Sequence, residues 1–148
     1  MGEVNLKIRR MIVSDVDAVI ALDRKVFGAT SQITYKELAS VGLGSPLDMS
    51  FVGEIDSTVI GFLLARIVYA GMPFEELCTV HAIMVEPDYR RSGIGSRLFN
   101  ELINHCQEEG IHRIRTLVDE SNNEVRRFFE SLGFRRSNSV NYDKIWKS

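Results

Sequence analysis

Apolar residues recur along this chain in two periods, two and three-to-four, and the switches between them predict the elements. Leu6 to Arg10 reads as a short strand. Behind it Val16, Val19, Ile20 and Leu22 fall on one helical face, and Ser14 with Asp17 is spaced as a capping box. That helix is expected to end near Phe27-Gly28. A second short helix is expected around Tyr35 to Val41, before the loop Gly42-Leu43-Gly44-Ser45-Pro46. Phe51 to Ile55 and Val59 to Tyr69 are β-rich runs joined by Asp56-Ser57-Thr58, a hairpin signal. Gly71-Met72-Pro73 breaks the second run, and Thr79 to Val85 follows as a mostly buried strand stopped by Pro87.

Ile94, Leu98, Leu102, Ile103 and Cys106 then share one face of a long helix ending near Gly110. Ile111 to Val118 reads as another strand. Ser121 with Glu124 is spaced as a second capping box, for a helix carrying Val125, Phe128, Phe129 and Leu132, with Gly133 as its stop. Phe134 to Ser137 and Val140 to Trp146 read as a final strand pair. The order β-α-α-β-β-β-α-β-α-β-β predicts one α/β domain over residues 1–148, a mixed sheet with helices on both faces.

Composition changes this picture little. The chain has 148 residues, 45% hydrophobic and 26% charged, with a net charge of -2. That balance argues against broad nucleic-acid or membrane-surface binding and leaves the basic residues near 90 as a local feature. No run approaches the ~18 apolar residues of a membrane span, and the first residues show no signal-peptide core, so a cytoplasmic protein is expected. Cys78 and Cys106 have no metal-ligand spacing with the three histidines and read as small buried hydrophobes, so no metal site is expected.

The candidate chemistry lies in Arg90-Arg91-Ser92-Gly93-Ile94-Gly95-Ser96, a basic corner between strand and helix. The first turn of a helix offers unpaired N–H groups and a partial positive charge, and glycines let a phosphate approach the backbone. The run is not a Walker loop, and Leu98 stands where a dinucleotide fingerprint wants a third small residue.

The stretch from Ile83-Met84-Val85-Glu86-Pro87 through Tyr89-Arg90 to Gly93-Ile94-Gly95 closely resembles the acetyl-CoA signature of the GNAT acetyltransferase superfamily. Asn122, Val125, Phe128-Phe129 and Gly133-Phe134 are similar to the family's second block, N-x-x-A-x-x-L-Y-x-x-x-G-F. The resemblance implies a twisted, mostly antiparallel sheet of about seven strands. It implies that backbone groups of Ile83, Met84 and Val85 pair with the pantetheine arm of acetyl-CoA as an added strand would. Arg90, Arg91, Ser92, Gly93, Ile94, Gly95 and Ser96 would cradle the pyrophosphate, and Asn122 would contact the cofactor. The implied activity is acetyl transfer from acetyl-CoA to a primary amine by direct attack in a ternary complex.

Ribosomal-protein N-terminal acetyltransferases of this superfamily carry a Glu and a Tyr where this chain has Leu117 and Phe129, so that proton-transfer pair does not carry over. The best remaining base is His81, placed by period-two alternation on the side of Ile83 and Val85. Thr79 shares that phase, and Glu54 and Tyr142 are further candidates for the acceptor side. Glu75 and Glu76, beside Phe74, suggest an acidic rim for a cationic acceptor, a small-molecule or protein amine. Edge strands near the C-terminus make a homodimer reasonable. A non-catalytic acyl-CoA-binding or sensing module is the alternative from another class.

Overall fold

In a computed structural model, residues 5–28 and 42–147 are described. The expected helix at 35–41 lies outside them. The described chain divides into two compact units, Met1–Leu117 and Val118–Ser148.

The first unit is built on one sheet of five strands in sequence order: β1 (Leu6–Arg10), β2 (Phe51–Ile55), β3 (Thr58–Ala70), β4 (Glu75–Val85) and β5 (Ile114–Thr116). The first four are antiparallel neighbours, and β5 joins β4 in parallel. The β2–β3 hairpin turns on Asp56 and Ser57, both at positive φ, the conformation that matches the twist of paired strands. Helices α1 (Val16–Phe27) and α2 (Ile94–Glu108) cover the sheet. Val16, Val19, Ile20 and Leu22 of α1 pack with Val52, Phe62, Leu64 and Met84 in one core. Phe51, one residue from Val52 and so on the opposite face, meets the His105 ring of α2 at 4.9 Å.

Two glycines seat α2. Gly53 and Gly61 are register partners, and a Cβ on either would stand 3.7 or 3.5 Å from Cγ2 of Ile94, the first residue of α2. At Gly61 it would also come within 3.1 Å of the Met84 carbonyl. Bare backbone at both positions lets the start of α2 settle onto the strands beside β4.

In the second unit, α3 (Asn123–Ser131) is the regular element. Phe129 is buried, with Phe128 at 5.3 Å and Phe134 at 5.1 Å, both edge-on. No described helix is long and apolar enough to cross a membrane.

Several expectations are corrected. The described residues form five strands, not about seven, because neither Phe134–Ser137 nor Val140–Trp146 has a ladder partner. Alternation specifies a strand only where an edge receives it. The strand expected over 111–118 shrinks to Ile114–Thr116, whereas β4 starts at Glu75, four residues before the expected start. Both helices are capped one residue later than expected, at Asp15 and Asn122. Asp15, not Ser14, accepts the Ile12 N–H at 2.8 Å ahead of α1, and Asn122, not Ser121, caps α3 by accepting the Val125 N–H at 3.2 Å.

Candidate functional site at the end of strand β4

The site begins with an irregularity in β4. Leu64 is paired with Ala82 but Ala65 with Val80, which leaves His81 as an extra residue, a β-bulge. A bulge inverts alternation. Before it, Cys78 shares a hydrogen bond with Cys106 of α2; after it, Ala82 and Met84, of the same parity, pack with the α1 core. The count of two that put His81 on the side of Ile83 and Val85 thus starts on the inserted residue itself.

The bulge also marks where the sheet opens. Cys78, Thr79 and Val80 pair with Ile114, Arg115 and Thr116, and past Val80 no described strand continues on that side of β4. The Glu86 N–H donates to the Ile60 carbonyl at 2.7 Å. Antiparallel pairs alternate between hydrogen-bonded and non-hydrogen-bonded, so Met84 and Ala82 direct their N–H and C=O groups toward β3. Ile83 and Val85 direct theirs the other way, into the opening. The Arg90 Nε–H donates to the Val85 carbonyl from that side at 3.3 Å. Of the three residues expected to meet an added strand, Ile83 and Val85 thus turn their backbone groups to the opening and Met84 turns its own to β3.

At the end of β4, a 3-10 turn over Pro87–Tyr89 leads into the basic corner. Arg91 and Gly93 both take positive φ, +67° and +81°, and Gly93 is the N-cap of α2. The Ser92 hydroxyl donates to the Tyr89 carbonyl, which ties the corner back on itself. The first intrahelical bond runs from the Arg97 N–H to the Gly93 carbonyl at 3.0 Å. The amides of Ile94, Gly95 and Ser96 precede it and have no acceptor within the helix. A Cβ at Gly93 would meet nothing within 4 Å, and Arg90, Arg91, Ser92 and Ser96 are exposed, so the corner is open. Ile94 alone turns inward, buried beneath the helix start.

His81 is exposed on the bulge; crowding by neighbours, then the nearby Arg66 charge, pulls its pKa below the ordinary value of 6.5. That direction favours its neutral form. Glu54 is held by Arg9 at 3.3 Å, and Arg9 also grips buried Asp15 through two 2.8 Å bonds, so Glu54 is not the free base that its strand position suggested. Nothing in the sequence period announced that cluster, whose partners come from β1, β2 and a turn.

The acidic rim is likewise spoken for. Glu75 lies 2.7 Å from Arg113 and 3.8 Å from Arg115, and Glu76 accepts the Tyr69 hydroxyl at 2.6 Å. Leu117 is exposed and Tyr142 is 94% exposed. Asn122 belongs to the second unit, where its side chain is the α3 cap. The hydrogen bond shared with Cys106, and then burial, push the Cys78 thiol up, consistent with an inert core residue.

Comparison with known proteins places this geometry. An uncharacterized N-acetyltransferase of Methanocaldococcus jannaschii is 29% identical over 94 residues, 63% of this chain and 42% of that protein. A mycothiol acetyltransferase of Kocuria rhizophila is 33% identical over 78 residues, 53% of this chain and 26% of that protein. The chain thus spans less than half the length of either relative. Among solved structures, an aminoglycoside 6'-N-acetyltransferase of Acinetobacter baumannii matches with a TM-score of 0.80 at 19% identity, over 97% of this chain and 100% of that one, a likeness of fold. The model of the acetyltransferase (GNAT) family matches residues 17–134, from the first turn of α1 to the residue after Gly133; on that match the chain belongs to the GNAT acetyltransferase family.

Proposed function

We propose that this protein is an acetyl-CoA-dependent N-acetyltransferase that moves the acetyl group directly to a primary amine. The observation that carries the reading is the coincidence of two open features at one end of β4. Ile83 and Val85 present backbone groups to an unfilled edge, and the α2 amides at 94–96 begin where that edge stops. A pantetheine arm fits the first as an added strand, and a diphosphate fits the second. Arg90, Arg91, Ser92 and Gly93 belong to the same corner. Asn122 joins the set on family resemblance alone, and Asn122→Ala titrated beside Gly93→Glu measures its share. Solved relatives of this fold include an aminoglycoside acetyltransferase with CoA bound.

For the chemistry, His81 is the base of this proposal. A lysine-like amine with a pKa of about 10.4 is almost wholly protonated at pH 7, so a neutral imidazole at the opening gives its proton somewhere to go. The N–H of Ile83 or Val85, rather than Met84, is the donor for the developing oxyanion. The amine nitrogen bonds to the thioester carbon, the carbon–sulfur bond breaks, and the thiolate takes a proton from solvent. No covalent enzyme intermediate is needed. A thiol pKa of about 8.5 makes departure without a positioned acid tolerable, which accommodates Leu117 and Phe129.

Calorimetric titration with acetyl-CoA tests the binding step. Wild type is expected to bind, and Gly93→Glu, which adds a carboxylate and a Cβ at φ +81°, to weaken binding at least about 100-fold. Absence of binding to wild type overturns the reading. Release of free CoA thiol in the presence of an amine panel separates the enzyme from an acyl-CoA-binding module, which binds and releases nothing.

A further inference from the structure

Side chains close both ends of the open β4 edge. At one end the Thr116 hydroxyl of β5 donates to the Val80 carbonyl at 3.2 Å. At the other the Arg90 Nε–H donates to the Val85 carbonyl at 3.3 Å. Between them lie the Ile83 N–H and C=O and the Val85 N–H, the groups turned to the opening. An arm laid along this edge as an added strand meets those groups and then the carbonyl that Arg90 holds.

The two closures differ in what each side chain is able to do. Thr116 is the ladder partner of Val80, so its hydroxyl stays where β5 stays. Arg90 stands after a turn fixed by its own backbone bonds, from the Tyr89 N–H to the Glu86 carbonyl at 2.8 Å and from the Arg90 N–H to the Pro87 carbonyl at 3.3 Å. The root of the side chain is thus held, while its long stem leaves the guanidinium free to swing. The carboxylates of the turn are directed elsewhere: Glu86 pairs with Lys25 of α1, and Asp88 acts on the same ammonium. The α2 amides of residues 94–96, proposed above for a diphosphate, begin four residues on. A phosphate that accepts two N–H bonds from a guanidinium is a far stronger partner than one neutral carbonyl.

We propose that Arg90 selects the acyl donor: held on the Val85 carbonyl it closes that end of the edge, and the diphosphate of a CoA thioester draws it away. This inference rests on the acetyl-CoA reading. A thioester arm without a diphosphate has to displace the guanidinium and offers it no anion in return. Acetyl-CoA exchanges one partner of Arg90 for a better one. Selectivity of this kind comes from a group that opposes the wrong ligand as much as from contacts to the right one.

S-acetylpantetheine, which is the arm without a diphosphate, and acetyl-CoA are the probes, titrated by ligand-observed NMR and calorimetry. Arg90→Met keeps a stem of similar bulk and removes both the donor and the charge. It is expected to bind acetyl-CoA about 10-fold more weakly than wild type, yet to bind S-acetylpantetheine about 3-fold more tightly. An affinity of Arg90→Met for S-acetylpantetheine no greater than that of wild type overturns the proposal. The Nε–H cross-peak of Arg90, identified by its loss in that variant, reads the movement itself. Saturating ADP is expected to shift it, and a cross-peak that stays in place overturns the release by diphosphate. Wild type that fails to bind acetyl-CoA sinks the underlying reading, whereas wild type that binds it without this crossed effect sinks the role of Arg90 alone.

Discussion

At the residue scale, the ionisable groups include some that hold the fold and one, His81, proposed for the chemistry. Asp15 belongs to the first kind. Its burial would raise its pKa, but the paired Arg9 bonds and the Ile12 N–H outweigh that and hold the carboxyl below its ordinary value. A depressed carboxylate pKa means that the unfolded state binds more protons, so the stabilisation is complete above about pH 4 and is lost as pH falls through the native value. Arg9→Met leaves buried Asp15 and Glu54 without their cation. The expected cost is about 2–3 kcal/mol at pH 7, below the full range for a buried pair because Arg9 is 26% exposed, and it is expected to shrink in urea unfolding at pH 3. His81 is of the second kind. Its lowered pKa is expected to place the acid limb of kcat/KM below the ordinary imidazole value of 6.5. His81→Ala is expected to remove that limb and lower kcat by about 10²–10⁴, as read from a pH–rate profile. An unchanged profile in the variant would take His81 out of the chemistry.

At the element scale, the β4 bulge explains both how far the sequence could be read and where it misled. The long helix, the hairpin and the basic corner were legible because each is written in local residues: a 3.6-residue apolar period, turn residues between β-rich runs, and paired glycines before a helix. The bulge was not, since an inserted residue leaves hydrophobic composition intact and shows only in partners across the ladder, here Leu64 with Ala82 and Ala65 with Val80. The final strands were over-read for a related reason, since Val140–Trp146 has the alternation of a strand but pairs with no strand among the described residues. Because the one inserted residue carries the inversion, removing it restores an uninterrupted ladder. Deletion of His81 sets Val80 next to Ala82 opposite Ala65 and Leu64, and Cys78, Val80, Ile83 and Val85 keep the face they already share. The deletion variant and His81→Ala are therefore both expected to melt cooperatively, within a few degrees of each other. A deletion variant without a cooperative transition would show that the packing around β4 requires the bulge.

At the scale of the whole molecule, the site draws on elements far apart in sequence, and stability is therefore a readout of the site. β4 is fixed by β3, by its three-residue pairing with β5 and by both cores, while α2 is seated over Gly53 and Gly61. A ligand that bridges the β4 edge and the α2 start binds only when these elements are folded. By mass action, acetyl-CoA at one hundred times its Kd is expected to raise the unfolding free energy by about 2.7 kcal/mol. For a chain of this size that corresponds to a melting temperature higher by about 5–10 °C, measurable by differential scanning fluorimetry. Gly61→Ala supplies the control that separates seat from ligand contact. Its Cβ would press on the Met84 carbonyl at 3.1 Å and on Ile94, so β3, β4 and the start of α2 must spread. This variant is expected both to melt lower and to gain less from acetyl-CoA, whereas Gly93→Glu, with open space around its Cβ, is expected to lose the ligand-dependent gain with a smaller loss of its own. Equal acetyl-CoA gains in wild type, Gly61→Ala and Gly93→Glu would mean that the ligand stabilises the chain from somewhere other than the β4–α2 corner.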